Sequence, residues 1–198
     1  WMNPYRLTWD YYLDPAYESS MDRVVTAVKE VMAYDVDGVL FDDYFYHAQK
    51  GYKNRDNDKI LKPSKLPSDS KKKTYVNKMV KRVYTKVKEL SKDAVFGISP
   101  QGNIENCRGA GADVDKWMST EGVYIDYIAP QIYWTDQWGS SGTTKMYTNR
   151  IKAWKELKKY DINLYVAMAS YLTGEGYKGD PGWGKTSTNL ASQLNILR

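Results

Sequence analysis

The stretch that decides the fold is YDVDGVLFDDYFYHAQ, Tyr34 to Gln49. It sets four aspartates, Asp35, Asp37, Asp42 and Asp43, around the apolar run Val39-Leu40-Phe41. Upstream, Asp14-Pro15 reads as a helix start, a capping carboxylate with proline in the first turn. Met21, Val24, Val25, Val28, Val31 and Met32 then recur at helical spacing to about Tyr34. Val36 to Asp42 follows as a buried strand. The order is therefore helix, Asp35 and Asp37, strand, Asp42 and Asp43.

That order separates two readings. A D-x-D-G-x-L pattern suits the nucleophile loop of a haloacid-dehalogenase-type phosphatase, which needs its hydrophobic strand before the first aspartate. Here a helix precedes Asp35 and the strand comes after Asp37, so the phosphatase reading fails on direction. Asp35 and Asp37 then lie at the strand's N-terminal side, with Gly38 expected to ease helix-strand packing. Asp42 and Asp43 lie at the C-terminal end, where sheets of parallel strands open onto their functional loops.

The rest of the chain repeats the alternation. Tyr46 to Lys73 is polar, contains Gly51, Pro63 and Pro67, and reads as a loop. A helix is expected near Lys72 to Ser91, a strand at Ala94 to Ser99 and a short helix at Asp113 to Thr120. A strand at Tyr124 to Tyr133, a helix at Thr143 to Tyr160, a strand at Asn163 to Ala169 and a helix at Thr186 to Leu197 follow. Connections after strands are long and those before strands are short, the asymmetry of a (β/α)8 barrel with its site at the strands' C-terminal ends. Only four full strands are legible, plus a strand end at Trp1-Met2, and such barrels typically need about 250 residues. The expected architecture is an α/β, incomplete (β/α)8 TIM barrel forming one domain over 1–198, cut from something longer.

Composition narrows the partners. The chain has 198 residues, 42% hydrophobic and 27% charged, as a globular domain does. It contains no run of about 18 apolar residues, so no membrane span is expected. One cysteine excludes an internal disulfide, and one histidine leaves little from which to build a metal site or a Ser-His-Asp triad. No metal or organic cofactor is implied. The net charge of +5, with lysines gathered between Lys50 and Lys73, admits an anionic partner; a solvated loop explains it more simply. Eighteen tyrosines and seven tryptophans suit either a core or the stacking of sugar rings.

Two neighbouring carboxylates repel, so one stays ionised while the other holds its proton toward neutral pH. That division is what acid-base cleavage of a glycosidic bond uses. In mid-strand, adjacent side chains point to opposite faces; at a strand's last residues the turning chain lets both reach one cavity.

Four segments carry a family resemblance: WMNPYR (Trp1 to Arg6), DVDGVLFDDYFY (Asp35 to Tyr46), FGISPQGN (Phe96 to Asn103) and YIDYIAPQIYW (Tyr124 to Trp134). Their order and spacing resemble the bacterial glycosyl hydrolase-like family 10, whose members look like (β/α)8 hydrolases of envelope glycans. Against that pattern NPYR falls at the third strand and FDDY at the fourth, so the first two strands and the last are expected to be missing. The resemblance implies a polysaccharide of the bacterial cell envelope, such as the N-acetyl-sugar strands of peptidoglycan, and a secreted or envelope location. A more distant similarity, to N-acetylhexosaminidases with adjacent acids at the fourth strand, suggests substrate-assisted catalysis. Asp42 would then orient the sugar's acetamide and Asp43 would be the acid/base, though the two roles could be exchanged.

Candidate substrate-binding residues come from the other strand ends. They are Asn3 and Arg6 after the third strand, Tyr44 and Tyr46 after the fourth, and Ser99 and Asn103 after the fifth. Gln131 and Tyr133, with Trp134 and Trp138 as a sugar platform, follow the sixth, and Tyr171 the seventh. Asp126, inside a strand, is expected to pair structurally. Two rivals stand beside hydrolysis. A non-catalytic carbohydrate-binding domain would use the same aspartates to hydrogen-bond hydroxyls. A nucleic-acid binder would use the lysine-rich loop, which lacks interleaved aromatics beyond Tyr52 and Tyr75, so nucleic acid is not the expected partner.

Overall fold

The computed structural model describes residues 13–43, 45–46, 52–53, 60–61, 67–175 and 179–198. Asn3, Arg6, Tyr44, His47 and most of the lysine-rich loop lie outside them. The chain begins with α1 (Glu18–Met32), β1 (Gly38–Phe41) and the short strands β2 (Tyr52–Lys53) and β3 (Ile60–Leu61). It continues with α2 (Asp69–Leu90), β4 (Val95–Ile98), α3 (Ile104–Gly109), α4 (Val114–Trp117) and β5 (Tyr127–Ile128). Then come α5 (Met146–Leu157), β6 (Asn163–Leu164), a 3-10 turn at Ser170–Leu172, α6 (Gly182–Lys185) and α7 (Asn189–Leu197).

β1, β4, β5 and β6 form one sheet in that order, every neighbouring pair parallel. The fold is α/β, and these four strands with their crossing helices are successive staves of the kind a (β/α)8 barrel repeats. β2 and β3 pair antiparallel with each other, inside the stretch expected to be a plain loop. Among the described residues no helix is long and apolar enough to cross a membrane.

The two longest helices, α2 and α1, bury most of the apolar positions of their stripes. α2 buries Val76, Val80, Val83 and Val87 against the sheet and starts three residues earlier than expected, where the Ser68 hydroxyl accepts from the Lys71 N–H. α1 buries Met21, Val25 and Val28. It begins at Glu18, a turn later than the Asp14-Pro15 signal. Asp14 instead organises the turn before it, its carboxylate accepting from the Ala16 N–H at 2.9 Å. Arg82 of α2 reaches Glu18 at 3.0 Å and Asp22 at 2.5 Å on α1, exposed pairs worth about 0–1 kcal/mol each.

Parity then sorts the strand residues. Phe41, Ile98, Ile128 and Leu164 share one register row, on the face covered by the helices. Phe41 meets Phe96 edge-on, with centroids 5.0 Å apart. The opposite row is Leu40, Gly97, Tyr127 and Asn163. Leu40 is 53% exposed there, so this face is open among the described residues. Gly38 is needed for a reason other than helix packing: a Cβ there would stand 2.1 Å from the Val95 carbonyl oxygen of the neighbouring strand.

The expected strand at Tyr124–Tyr133 is regular over two residues only. Pro130 has no N–H to give the ladder, yet pairing resumes at Gln131, which bridges Gln101 on one side and Ala167 on the other. Asp126 pairs structurally as expected, accepting from the Phe96 N–H at 2.7 Å and meeting Lys88 at 2.9 Å. Many aromatics are core: Trp117, Trp154 and Trp183 are fully buried, each indole N–H on a protein acceptor.

Candidate active site

β1 ends at Phe41, and Asp42 follows on the open face by parity. The chain turns at once. The Asp43 N–H donates to Asp42 Oδ1 at 2.8 Å, Phe45 N–H to the Asp43 carbonyl at 3.0 Å, and Tyr46 N–H to the Ala110 carbonyl at 3.0 Å. Phe45 leans on Trp117, with centroids 5.6 Å apart. The turn is thereby pinned to the α3–α4 layer, and the two carboxyl groups are held as neighbours rather than on opposite faces.

Asp42 is exposed and accepts from Gln131 Nε2 at 2.5 Å. The same amide donates to the Ser99 carbonyl at 3.0 Å. One side chain on β5's extension thus ties the ends of β1 and β4. Asp43 is half-buried. Burial pushes its carboxyl above the ordinary aspartate value, and the charge of Asp42 together with a side-chain hydrogen bond to it adds in the same direction. Asp43 in turn helps raise the neighbouring Cys107 thiol to about 12, after the larger effect of burial. That thiol donates to the Gln101 carbonyl at 3.0 Å and is an inert core group.

Tyr133, two residues beyond Gln131, shares its parity. Burial raises its phenol first, then Tyr171, and then the charges of Asp42 and Asp43. Tyr171, on the 3-10 turn, is 68% exposed and meets the Tyr133 ring edge-on at 6.3 Å. The structure therefore brings Asp42, Asp43, Gln131, Tyr133 and Tyr171 to one end of the sheet, drawn from three strand ends.

Other expected ligand groups are engaged elsewhere. Tyr46 is 6% exposed and its hydroxyl donates to Asp14 at 2.5 Å, so it ties the loop to the start of α1 instead of shaping a pocket. Ser99 is buried with its hydroxyl on the Ala129 carbonyl at 2.9 Å. Asn103 caps α3, accepting from the Glu105 N–H at 3.1 Å, and also takes Arg150 at 3.3 Å. Trp134 packs against the core with the Arg150 guanidinium 5.4 Å from its ring centre, which leaves it a poor sugar platform. Trp138 is half-buried in a short antiparallel bridge with Thr144.

Sequence reasoning passed over Arg150, Thr135 and Asp180. Their signal is long-range: nothing near Asp180 in the chain announces that its carboxylate holds Thr135, 45 residues away. Among the described residues no group of three His, Cys, Asp or Glu side chains converges as a metal site would require. Two described lysines of the basic stretch are already paired, Lys72 with Asp69 at 3.0 Å and Lys73 with Asp113 at 3.6 Å.

Known proteins are similar to this chain in sequence. A protein named Glycosyl hydrolase DigH in Shigella flexneri is 31% identical over 192 residues, covering 87% of this chain and 42% of that protein. One named Glycosyl hydrolase YngK in Bacillus subtilis is 27% identical over 232 residues, covering 92% of this chain and 44% of its own length. The chain thus spans less than half the length of these relatives. The family described as Glycosyl hydrolase-like 10 matches residues 7–185. This chain belongs to that family.

Proposed function

We propose that this chain carries the acid pair of a glycoside hydrolase that cleaves a polysaccharide of the bacterial cell envelope, one built from N-acetyl sugars. The observation that carries the reading is the asymmetry of the pair. Asp43 is half-buried with its carboxyl raised beside the charge of Asp42, while Asp42 is exposed and gripped by Gln131. A carboxyl that keeps its proton serves as general acid, and an oriented carboxylate beside it serves the substrate. The names of the relatives, both glycosyl hydrolases, support the same class.

In the proposed reaction Asp43 gives its proton to the glycosidic oxygen as the bond from the anomeric carbon to that oxygen breaks. The carbonyl oxygen of the sugar's own acetamide forms the new bond to the anomeric carbon, and Asp42 accepts from the acetamide N–H and steadies the positive charge that develops there. Asp43, now ionised, takes a proton from water as that water attacks the anomeric carbon and the acetamide leaves. The proton inventory closes with Asp43 protonated again. Tyr133 faces this space with a hydroxyl able to donate to the acetamide oxygen, and Tyr171 offers an exposed ring to a sugar face. A glycan of the envelope places the work outside the cytoplasm.

The test is turnover of purified, peptide-free glycan strands by the full-length protein, with new reducing ends counted by mass spectrometry. Asp42→Asn is expected to abolish turnover while glycan still binds. Binding by the wild type without any new ends would instead favour a carbohydrate-binding domain. Binding that vanished steeply with salt would favour a polyanion through the lysine-rich loop.

A further inference from the structure

We infer that the buried turn Asp180–Trp183 is a positioning element that sets Tyr133 and Tyr171 against the acid pair. The inference rests on the hydrolase reading above. Three successive residues after β5 are each held through a main-chain group by a side chain from the end of the described chain. Trp183 Nε1 donates to the Tyr133 carbonyl at 3.3 Å, Gln193 Nε2 to the Trp134 carbonyl at 2.9 Å, and Thr135 N–H to Asp180 Oδ2 at 2.6 Å. The Thr135 hydroxyl adds a bond to Asp180 Oδ1 at 2.6 Å, and Gly182 N–H reaches the same oxygen at 3.3 Å.

Asp180, Thr135 and Trp183 are fully buried. A carboxylate withdrawn from water is costly unless its oxygens are well met, and here the donors recorded are neutral N–H and O–H groups. The contact is too close for any residue but glycine at 182, where a Cβ would stand 2.0 Å from Thr135 Oγ1. Trp183 also reaches the second tyrosine's segment: its carbonyl accepts from the Gly174 N–H at 3.1 Å, just past the turn that carries Tyr171. One residue therefore joins both tyrosine-bearing loops, whose rings meet edge-on. None of these clamp residues needs to touch substrate; their effect passes through Tyr133 and Tyr171.

The experiment compares Asp180→Asn, Thr135→Val and Thr135→Ser in the full-length protein, with two readouts. The first is kcat and KM on glycan, including the double variant Thr135→Val with Tyr133→Phe. The second is the ring-carbon NMR titration of labelled Tyr133, which needs no turnover. Positioning predicts that Thr135→Val lowers kcat by about 10- to 100-fold with KM near wild type. Thr135→Ser restores it, the double variant loses less than the product of the two single losses, and the Tyr133 titration shifts in Asp180→Asn and Thr135→Val. An unmoved Tyr133 titration with multiplying losses would overturn the inference, as would Thr135→Val failing to fold, since the clamp would then only stabilise. A wild type that turns over no glycan defeats the hydrolase reading, and the titration still decides the clamp.

Discussion

Gln131 and Asp42 lie 89 residues apart in the chain, and the Gln131 amide donates to Asp42 Oδ1 at 2.5 Å. Because that amide also holds the Ser99 carbonyl at 3.0 Å, it fixes both the distance between two strand ends and the angle of the carboxylate. Gln131→Leu keeps the bulk and removes the donor. It is expected to lower kcat by about 10- to 100-fold through misplacement of Asp42. Stability should fall by about 1–3 kcal/mol, because exposed Asp42 takes water instead while the part-buried Ser99 carbonyl loses its donor. Steady-state kinetics beside thermal melting checks both halves.

Asp43 supplies a pH prediction. Its folded pKa is raised, by burial first and then by Asp42. The folded chain therefore holds this proton more tightly than the unfolded one, and between the two pKa values stability falls as pH rises. Asp43→Asn removes that dependence, so its melting temperature should exceed that of the wild type at neutral pH and match it more closely in acid. Activity should fall by about 10²–10⁴-fold, and whatever remains should lose the alkaline limb of the pH profile. Melts at several pH values decide the first point. A neutral-pH melt below the wild type's would contradict it.

Asp126 serves as the contrasting carboxylate. It accepts from the Phe96 N–H at 2.7 Å and meets Lys88 at 2.9 Å, away from the acid pair. Asp126→Asn should cost about 1.5–3 kcal/mol of stability, the range for hydrogen bonds to a charged group. The kcat of the folded fraction should be unchanged. Denaturant titration and kinetics on one preparation test this.

Gly97 tests the strand register. A Cβ there would meet the Tyr127 ring at 2.2 Å. Gly97→Ala should therefore destabilise by about 1–3 kcal/mol, as overpacking does. Pairing it with Tyr127→Ala should return much of the loss, measured as a double-mutant cycle.

The parts of this molecule that the sequence made legible are those governed by periodicity. The valine stripe of α2 and the direction of β1 relative to its aspartates need only local spacing, and the latter places the acid pair at the strand's C-terminal end. Helix starts were harder: Asp14 looks like a cap and does not serve as one, and the second long helix starts upstream of its expected position, capped by Ser68. The roles of Ser99, Asn103 and Tyr46 were not legible, because a polar side chain at a strand end can face a cavity or bind its own backbone. Distant partners, Ala129 and Asp14, decide that for Ser99 and Tyr46, while Asn103 turns back to cap the helix that follows it. The Asp180–Thr135 clamp escaped for the same reason.

The most direct measurement sets Asp43→Ala against the wild type on two substrates, the natural glycan and an aryl glycoside whose leaving group departs without protonation. The account predicts a loss of about 10²–10⁴-fold on the glycan and a far smaller loss on the aryl glycoside. Equal losses on both would show that Asp43 does not give the proton, and the assignment of the pair would fall.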